Sequence, residues 1–458
     1  MSQHSHHALS SRRTFLGQCC AAVTATGLLS TLTQLRAIGA IAGGGDYKAL
    51  VCLFLSGGND ANNLIIPNDD TGYSGYVTGR GALALPRDGL LTINPKSTDG
   101  RLWALHPSLV ELQQLFTQGR LALLANVGTL AAPITKAQFQ AGTVPVPLQL
   151  YSHNDQQVEW MSSIADKPFS TGWGGRLADL CQAFNSSNTI SMSISLNGQN
   201  AFQVGKTVAQ YTVSPSGAVA MSGTGSKSGT LSYERTQAQN AMLAGQHPDL
   251  LDAAFSGITA DAITDASLLS GLLAGAAPFT TVFPTSSLGQ QLRMIARLIG
   301  QRESLGVRRQ IFFARVGGWD LHDSQLGAHA NLFTDLSKSL AAFHQATVEM
   351  GVSESVTSFT ASDFGRTFST NGDGSDHGWG SHHLVLGGAV NGGDIYGRMP
   401  TLVNNGPDDT GRGRWIPTTS VDEYSATLAR WFGVSATDMP TVLPNIGRFA
   451  APNLGFLP

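Results

Sequence analysis

The sequence predicts an α/β fold in which helices cover both faces of a doubly wound, mostly parallel central sheet. Three near-continuous apolar runs, at residues 48–55, 121–127 and 310–316, are typical of strands buried on both faces. Segments with helical periodicity, such as residues 106–119 and 326–350, lie between or after these runs. This alternation of strand and helix is the pattern of a parallel sheet.

The other elements follow the same alternation, except in the middle of the chain. Residues 205–229 are rich in Ser, Gly, Thr and Val and predict a hairpin or a surface loop, and residues 233–305 predict mostly helix. We interpret residues 205–305 as a helical insert or cap. The remaining predicted elements are a helix at 174–184, strands at 189–196, 355–362 and 384–390, and a closing helix at 420–433.

The first 42 residues have the three parts of a secretory signal. Paired Arg12 and Arg13 precede an apolar stretch at residues 19–32, and a small-residue cleavage site ends at Ala42. The paired arginines are typical of the bacterial twin-arginine (Tat) route. We therefore expect the Tat translocase to be a partner and the mature domain, residues 43–458, to be periplasmic or secreted. We expect no stable membrane span after cleavage, because the apolar stretch is short and would be removed.

Composition excludes nucleic acid as a partner. Only 13% of the residues are charged, against roughly 25% in typical soluble proteins. The net charge is −3, and there is no clustered basic face of the kind that nucleic acid binding needs. Two of the four cysteines lie in the signal segment, so Cys52 and Cys181 remain and do not make a disulfide framework.

Three aspartates follow predicted strands at widely separated places in the chain. Asp60, Asp320 and Asp363 each come shortly after an apolar run, in loops that contain glycine. The carboxyl ends of parallel strands share one edge of a sheet, and ligands bind in the crevice there. We therefore expect these three acids to converge on one site. For Asp60, a strand-to-helix turn with Asp60 as the N-cap is an equally good interpretation.

Imidazoles and further acids accompany the last two aspartates. His322 lies two residues after Asp320, a spacing that puts both side chains on one side of an extended segment. The glycine-rich segment from residue 363 to 393 adds the candidate ligands Asp376, His377, His382 and His383. Carboxylate oxygen with imidazole nitrogen suits Zn, with Mn or Ca as alternatives. A solvated polar loop with incidental histidines is the competing interpretation.

A nucleophile candidate precedes the predicted helix at residues 174–184. Ser152 stands next to His153 in the segment YSHNDQ, and a metal could activate its hydroxyl. The alternative is a helix that begins here with Ser152 or Asn154 as its N-cap. Both interpretations remain open on the sequence alone.

Several motifs in the same order resemble domain-of-unknown-function family 1501. They are LVCLFLSGGNDANNLIIP, YSHNDQQVEW, GGWDLHDSQ, SDFGRT, DHGWGSHHLVLGGAVNGG and the closing ARWFG. That family is similar to the alkaline phosphatase and sulfatase superfamily. The resemblance implies an alkaline phosphatase-like α/β domain with a metal-dependent hydrolytic site at the carboxyl edge of its sheet.

The resemblance also implies roles for individual residues. Asp60, Asp320 and Asp363 would be metal ligands, and His377, His382 or His383 would supply the last metal histidine. Ser152 would be the nucleophile. This chain departs from the superfamily pattern at Phe364, where a histidine is expected, and Arg366 could then clamp the phosphate or sulfate group.

Two functions follow from these observations. The first is an exported metal-dependent hydrolase of small-molecule phosphate or sulfate esters. The second is a non-catalytic exported binding or assembly protein that keeps the same fold. Phe364 favours the second, and the number of remaining His and Asp residues favours the first.

Overall fold

The computed structural model describes residues 46–97, 99–185, 190–219, 221–245 and 247–458. The predicted signal segment, residues 1–42, lies outside the described residues. The strands, in chain order, are β1 (Lys48–Leu55), β2 (Ile65–Pro67), β3 (Leu91–Ile93), β4 (Trp103–Leu105), β5 (Leu121–Gly128), β6 (Ser193–Ser195), β7 (Tyr211–Ser214), β8 (Gly217–Ala218), β9 (Arg309–Val316), β10 (Val356–Ser362), β11 (Arg366–Thr370), β12 (Ser375–His377), β13 (Ser381–Gly387), β14 (Asp394–Tyr396) and β15 (Thr419–Ser420).

The α-helices vary from a single turn to seven turns in length. In chain order they are α1 (Asp70–Arg80), α2 (Val110–Thr117), α3 (Lys136–Ala141), α4 (His153–Ser162), α5 (Trp173–Cys181), α6 (Leu231–Leu243), α7 (Leu250–Ala274), α8 (Ser287–Gly300), α9 (Gln325–Glu349), α10 (Val421–Phe432) and α11 (Met439–Val442).

The central sheet has ten strands and is mostly parallel, as predicted. Its order is β14-β5-β13-β10-β1-β9-β6-β7-β8, and β15 pairs with β5. Strand β1 lies between β10 and β9 and is parallel to both. Two strands are exceptions: β13 runs antiparallel to β10 and β5, and β8 at the sheet edge runs antiparallel to β7. Strands β2, β4 and β3 form a small second sheet, and β11 pairs with β12.

Helices cover both faces of the sheet, which confirms the doubly wound prediction. Alternate residues of β1 enter different cores: Val51 and Leu53 belong to one, Cys52 and Phe54 to the other. Helices α2, α8 and α9 contribute to the first core, and α5 and α10 to the second. Burial on both faces explains why β1 is almost wholly apolar.

The middle of the chain adds both strands and helices. Strands β7 and β8 form the predicted hairpin and extend one edge of the sheet. Helices α6 and α7 follow, and α8 then packs into the first core with residues such as Leu292 and Ile295. Among the described residues, no helix has both the length and the apolar character needed to cross a membrane.

The three strands that precede the predicted acids end at the same edge of the sheet. Leu55, the last residue of β1, pairs with Val316 of β9 and with Ser362 of β10. The loops that follow these strands therefore start side by side. This register brings segments more than 300 residues apart in the chain to one place.

Candidate metal centre

Two imidazoles and one carboxylate converge at this edge. His153 is the first residue of α4, Asp320 lies in the loop after β9, and His377 ends β12. One ligand atom from each residue lies within 4.8 Å of the other two. The Nε2 atoms of His153 and His377 are 3.1 Å apart, and they lie 3.4 and 3.3 Å from the carboxylate oxygens of Asp320. The side chains are 26–43% exposed, so the cluster is open to solvent.

His322 adjoins this group as a third imidazole. Its Nε2 atom lies 2.9 Å from Asp320 Oδ1 and 3.2 Å from His377 Nε2. Its side chain is 43% exposed. The predicted pairing of Asp320 with His322 on one side of the loop therefore agrees with the geometry.

Hydrogen bonds at the other ring nitrogens fix which atoms carry lone pairs. The carbonyl oxygen of Tyr151 can only accept, so His377 Nδ1 donates to it at 2.9 Å. His153 Nδ1 donates to the carboxylate of Asp363 at 2.6 Å. In the neutral imidazoles, both Nε2 atoms therefore present lone pairs to each other, next to an anionic Asp320. Electron-rich atoms at this separation require a cation between them, either a proton or a metal ion.

The spacing of these atoms fits a tetrahedral ion. Ligand atoms at about 2.0–2.1 Å from Zn²⁺ lie about 3.3 Å from one another in a tetrahedron. The separations among the ligand atoms of His153, Asp320 and His377 run from 3.1 to 3.4 Å. Nitrogen and carboxylate donors are also the ligand types that Zn²⁺ and Mn²⁺ accept. The residues present therefore fit a divalent cation.

Asp363 holds His153 in position. Its Oδ2 atom accepts from His153 Nδ1 and from Gln157 Nε2 at 2.8 Å, one turn further along α4. Its Oδ1 atom accepts from the backbone N–H of Gly57 at 3.0 Å. The hydrogen bond that His153 donates to Asp363 raises the pKa of His153 above its ordinary value, although burial opposes the shift. A carboxylate behind an imidazole is the usual orienting partner of a histidine ligand.

Arg366 holds Asp320 in position. Its Nη1 atom donates to Asp320 Oδ1 at 2.6 Å and to the carbonyl of Gly57 at 3.2 Å, and its Nη2 atom donates to the carbonyl of Ser375. Burial alone would raise the pKa of Asp320, but the Arg366 guanidinium outweighs it and holds this pKa below the ordinary value. The Arg366 side chain is 0% exposed, so it lies behind Asp320 and not at the solvent-open side where a substrate would arrive.

The backbone of Gly57 binds both Asp363, which holds His153, and Arg366, which holds Asp320. Its φ is +123°, a region that favours glycine, and a Cβ there would collide with the backbone of Asp320. The glycine-rich turn after β1 therefore lets the two loops approach closely enough for Asp363 and Arg366 to bind its backbone.

Phe364 forms a wall behind the two imidazoles. Its ring centroid lies 4.7 Å from those of His153 and His377, and it is 2% exposed. The residue that replaces the expected histidine thus packs against two histidines supplied by other elements. One of them, His377, is a predicted ligand, and the other is not.

Asp376 contacts the outer side of the cluster. Its Oδ1 atom lies 3.5 Å from His322 Nδ1, and its Oδ2 atom pairs with Arg412 at 2.5 Å. Burial would raise the pKa of Asp376, but hydrogen bonding from Asn371 and the charge of Arg412 lower it. Asp376 therefore supports His322 and lies one residue away from the ligand position of His377.

Asp60 lies at the predicted edge but outside the cluster. Its side chain is 2% exposed and forms an ion pair with Arg80, the last residue of α1. It also accepts from Asn62, at the start of a short 3-10 helix, and from Gln325. The structure therefore agrees with the alternative interpretation, in which Asp60 is the N-cap of a helix.

His382 and His383 lie within the sheet, away from the cluster. Both belong to β13, and their side chains are buried. His382 Nδ1 accepts from the backbone N–H of Asn126 at 2.9 Å, and His383 Nδ1 lies 3.2 Å from Thr360 Oγ1. Burial lowers the pKa of His382 to about 4 and that of His383 to about 3, so both are neutral near pH 7. Of the three predicted histidines in the glycine-rich segment, the structure thus brings only His377 to the site.

Ser152 is the N-cap residue of α4, in agreement with the interpretation that a helix begins here. Its Oγ atom donates to Asp155 Oδ2 at 2.6 Å. It makes this bond along its own helix turn, and the neighbouring His153 points its ring nitrogens to Asp363 and to His377.

His153 and its helix neighbour Gln157 are the residues that sequence reasoning missed. In the segment YSHNDQQ the sequence predicted a role for Ser152 and none for His153, the imidazole at the start of the helix. Their spacing of four residues, which puts both side chains on one helix face, was the available signal. The partner on which that face acts, Asp363, is 206 residues from Gln157 and could not be found locally.

Comparison with models of protein families assigns this sequence to one family. The model of the family described as "Protein of unknown function (DUF1501)" matches residues 47–411, most of the chain. The chain belongs to the DUF1501 family. This match confirms the resemblance drawn from the motifs, and every residue of the cluster lies inside the DUF1501 match. A search of curated proteins finds no match.

Solved structures similar to this DUF1501 chain include a sulfatase, the protein Ps i-CgsB and an alkaline phosphatase. The PsFucS1 sulfatase from Pseudoalteromonas sp. is 12% identical over 90% of this chain and 73% of its own, with a TM-score of 0.34. Ps i-CgsB in complex with k-i-k-neocarrahexaose is 8% identical over 88% and 77%, with a TM-score of 0.36. A mutant of the alkaline phosphatase PafA is 12% identical over 71% and 64%, with a TM-score of 0.23.

Proposed function

We propose that this DUF1501 protein is a metal-dependent hydrolase of phosphate or sulfate esters. The observation that carries the proposal is the convergence of the Nε2 atoms of His153 and His377 on the Asp320 carboxylate, at separations that suit one divalent cation. Such a cation supplies Lewis-acid polarisation of an ester oxygen and makes water a better nucleophile at neutral pH.

The protein residues hold and orient this site. Asp320, His153 and His377 bind the cation, with His322 as a further donor. Asp363 orients His153, and Arg366 keeps Asp320 ionised and fixed. We propose Zn as the ion, with Mn as the alternative, because a set of three imidazoles and one carboxylate suits these metals better than Ca, which prefers oxygen ligands.

Ser152 is the candidate protein nucleophile. The carboxylate of Asp155 accepts a hydrogen bond from its hydroxyl at 2.6 Å, and a nucleophile needs a base within this range. The competing nucleophile is water. Replacing Ser152 by Ala distinguishes them: hydrolysis persists if water attacks, and it is lost while metal binding persists if Ser152 attacks.

The test combines metal analysis with turnover. Purified mature chain would be loaded with Zn²⁺ or Mn²⁺ and assayed with p-nitrophenyl phosphate and p-nitrophenyl sulfate. We expect bound metal and hydrolysis, both lost in Asp320→Asn and His377→Ala and both kept in His247→Ala, a histidine of the insert far from the cluster in the chain. Bound metal without turnover on either ester, or turnover that survives Asp320→Asn, would refute the proposal.

A second function is favoured by one observation. Phe364, which is buried, stands where the superfamily pattern has a ligand. An exported binding or assembly protein that keeps the fold without catalysis would have such a site. A metal-loaded chain with no activity on a broad panel of phosphate and sulfate esters would favour it.

Export by the Tat route is a further part of the proposal. Arg12 and Arg13, the apolar stretch and the small-residue site support it. Changing both arginines to lysine should retain the protein in the cytoplasm of a bacterial host, as judged by cell fractionation. Equal export of the altered chain would contradict this route.

A further inference from the structure

The carboxylate of Asp60 has no lone pair left for a metal ion. Its Oδ1 atom accepts from the backbone N–H and the side-chain amide of Asn62, at 3.2 and 3.0 Å. Its Oδ2 atom accepts from Arg80 Nη2 and Gln325 Nε2. A carboxylate offers about four acceptor positions, and these four donors fill them.

Arg80 is fixed in this place by three other acceptors. Its Nη1 atom donates to the carbonyl oxygens of Thr367 and Phe368, both at 3.0 Å, and its Nε atom donates to Asn63 Oδ1 at 3.2 Å. The side chain is 0% exposed. Moving the guanidinium away would leave a buried charge and several buried acceptors without partners, which is strongly unfavourable.

The other acids near the cluster are also matched by donors. Asp320 pairs with Arg366, and Asp376 pairs with Arg412. Asp363 accepts from three groups, including His153 Nδ1. Among the residues that the structure describes, the one group of three or more potential ligands is His153, Asp320 and His377. A second divalent ion at Asp60 or Asp363 would therefore have to displace donors that already occupy these buried carboxylates.

We infer that this site holds one metal ion per chain, and that the guanidinium of Arg80 takes the place of a second cation at Asp60. The inference rests on the proposed metal-dependent function and specifies its metal count. A divalent ion at Asp60 would also lie beside the positive charge of Arg80 in a buried setting, where repulsion between like charges is strong. Asp60 is thus a structural acid that ties the loop after β1 to α1 and α9.

The first test is the stoichiometry of the unaltered mature chain. After saturation with Zn²⁺ and removal of excess ion by dialysis, elemental analysis should give one ion per chain. With Mn²⁺, electron paramagnetic resonance should show the spectrum of an isolated ion. Two ions per chain, or the exchange-coupled spectrum of an ion pair, would overturn the inference, and so would a chain that takes no ion.

Matched carboxamide variants give the second test. Asp60→Asn should lower the free energy of unfolding but change the affinity for Zn²⁺ by less than about threefold. Asp320→Asn should weaken it by at least about 100-fold, the upper end of the loss for an outer-shell partner. Asp323→Asn, an exposed acid near the site, is the control and should change nothing.

The outcomes separate this inference from the proposed function. Loss of the ion in Asp60→Asn that stays folded, judged by near-UV circular dichroism, would overturn the one-ion inference. If that variant does not fold, the stoichiometry of the unaltered chain still decides. A chain that binds one ion and hydrolyses no ester would remove the proposed function and leave the metal count standing.

Discussion

At the scale of single residues, the two imidazoles of the cluster depend on partners at their far ring nitrogens. His377 is held by a backbone carbonyl, which no side-chain substitution can remove. His153 is held by Asp363, which also binds α4 through Gln157 and the turn after β1 through Gly57. The orientation of one candidate ligand therefore rests on a single carboxylate that lies outside the cluster.

Replacing Asp363 by Asn should weaken metal binding without abolishing it. The amide can keep one hydrogen bond but no longer stabilises the ligand imidazole by charge, so we expect the affinity for Zn²⁺ to fall about 10- to 100-fold. Titration against a competing chelator measures this change, with Asp373→Asn as a control on the same side of the molecule. An unchanged affinity would show that Asp363 does not orient His153.

Two buried acids away from the ligands predict how stability depends on pH. Burial raises the pKa of Glu159, in α4, to about 8 and that of Asp422, in α10, to about 7. The folded chain therefore keeps protons that the unfolded chain releases above its ordinary acid pKa values. The contribution of these two acids to stability should fall as pH rises from about 5 to about 8, because over this interval they bind fewer protons in the unfolded state. Buried histidines such as His382 and His383 act in the opposite direction below about pH 6.5, because only the unfolded state protonates them there.

Glu159→Gln should flatten this dependence. The variant removes one of the two acids, and each acid contributes a slope of up to about 1.4 kcal/mol per pH unit within the interval. Urea denaturation of chelated samples at several pH values from 5 to 8 measures the free energy of unfolding. Curves for the variant and the unaltered chain that run parallel across this range would contradict the pKa of Glu159.

At the scale of elements, the closing helix shows how a local signal sets a boundary. Ser420 caps α10 through the backbone N–H of Glu423, and Glu423 accepts in return from the backbone N–H of Ser420. The apolar face of α10 then packs into the second core with Tyr424 and Leu428. This reciprocal capping box satisfies two donors that the start of a helix leaves free.

Ser420→Ala should lower the free energy of unfolding by about 1 kcal/mol, because a buried helix loses its cap. Thr135→Ala is the matched control. Thr135 caps α3 with the same motif, but α3 has six residues and none of them is buried, so global stability should hardly change. Equal losses in the two variants, measured by urea denaturation, would contradict the packing argument.

The bounds of a strand or helix could be predicted where a single local sequence pattern determines them. Strand β1 has the predicted bounds, and α10 begins after the predicted N-cap, since a continuous apolar run and a capping box are local features. Strand β13 was predicted three residues late, because its first residues include the polar pair His382 and His383. Those histidines are buried by pairing with β5 and β10, which no local pattern reveals.

At the scale of the whole molecule, the sheet register explains both what was predicted and what was missed. Parallel pairing of β1 with β9 and β10 brings the acid-bearing loops together, as strand order alone implied. That Arg80 neutralises Asp60 depends on where α1 packs after the first loop. That His153 joins the cluster depends on where α4 packs. The packing positions of α1 and α4 cannot be predicted from a short sequence motif.

Metal binding should stabilise the whole fold, because the ligands come from α4, the loop after β9, and β12. An ion at 100 times its dissociation constant adds about 2.7 kcal/mol to the free energy of unfolding. We expect Zn²⁺ to raise the melting temperature of the mature chain and a chelator to reverse the rise. Asp320→Asn should show neither effect, and a rise of the same size in that variant would place the ion elsewhere.

The most direct test of the central claim is the coordination shell of the bound ion. X-ray absorption at the zinc edge of the loaded chain identifies imidazole ligands by their outer-ring scattering. We predict at least two imidazoles with oxygen completing the shell at about 2.0–2.1 Å, and one imidazole fewer in His153→Ala. A shell of oxygen alone, or one unchanged by that substitution, would contradict the site.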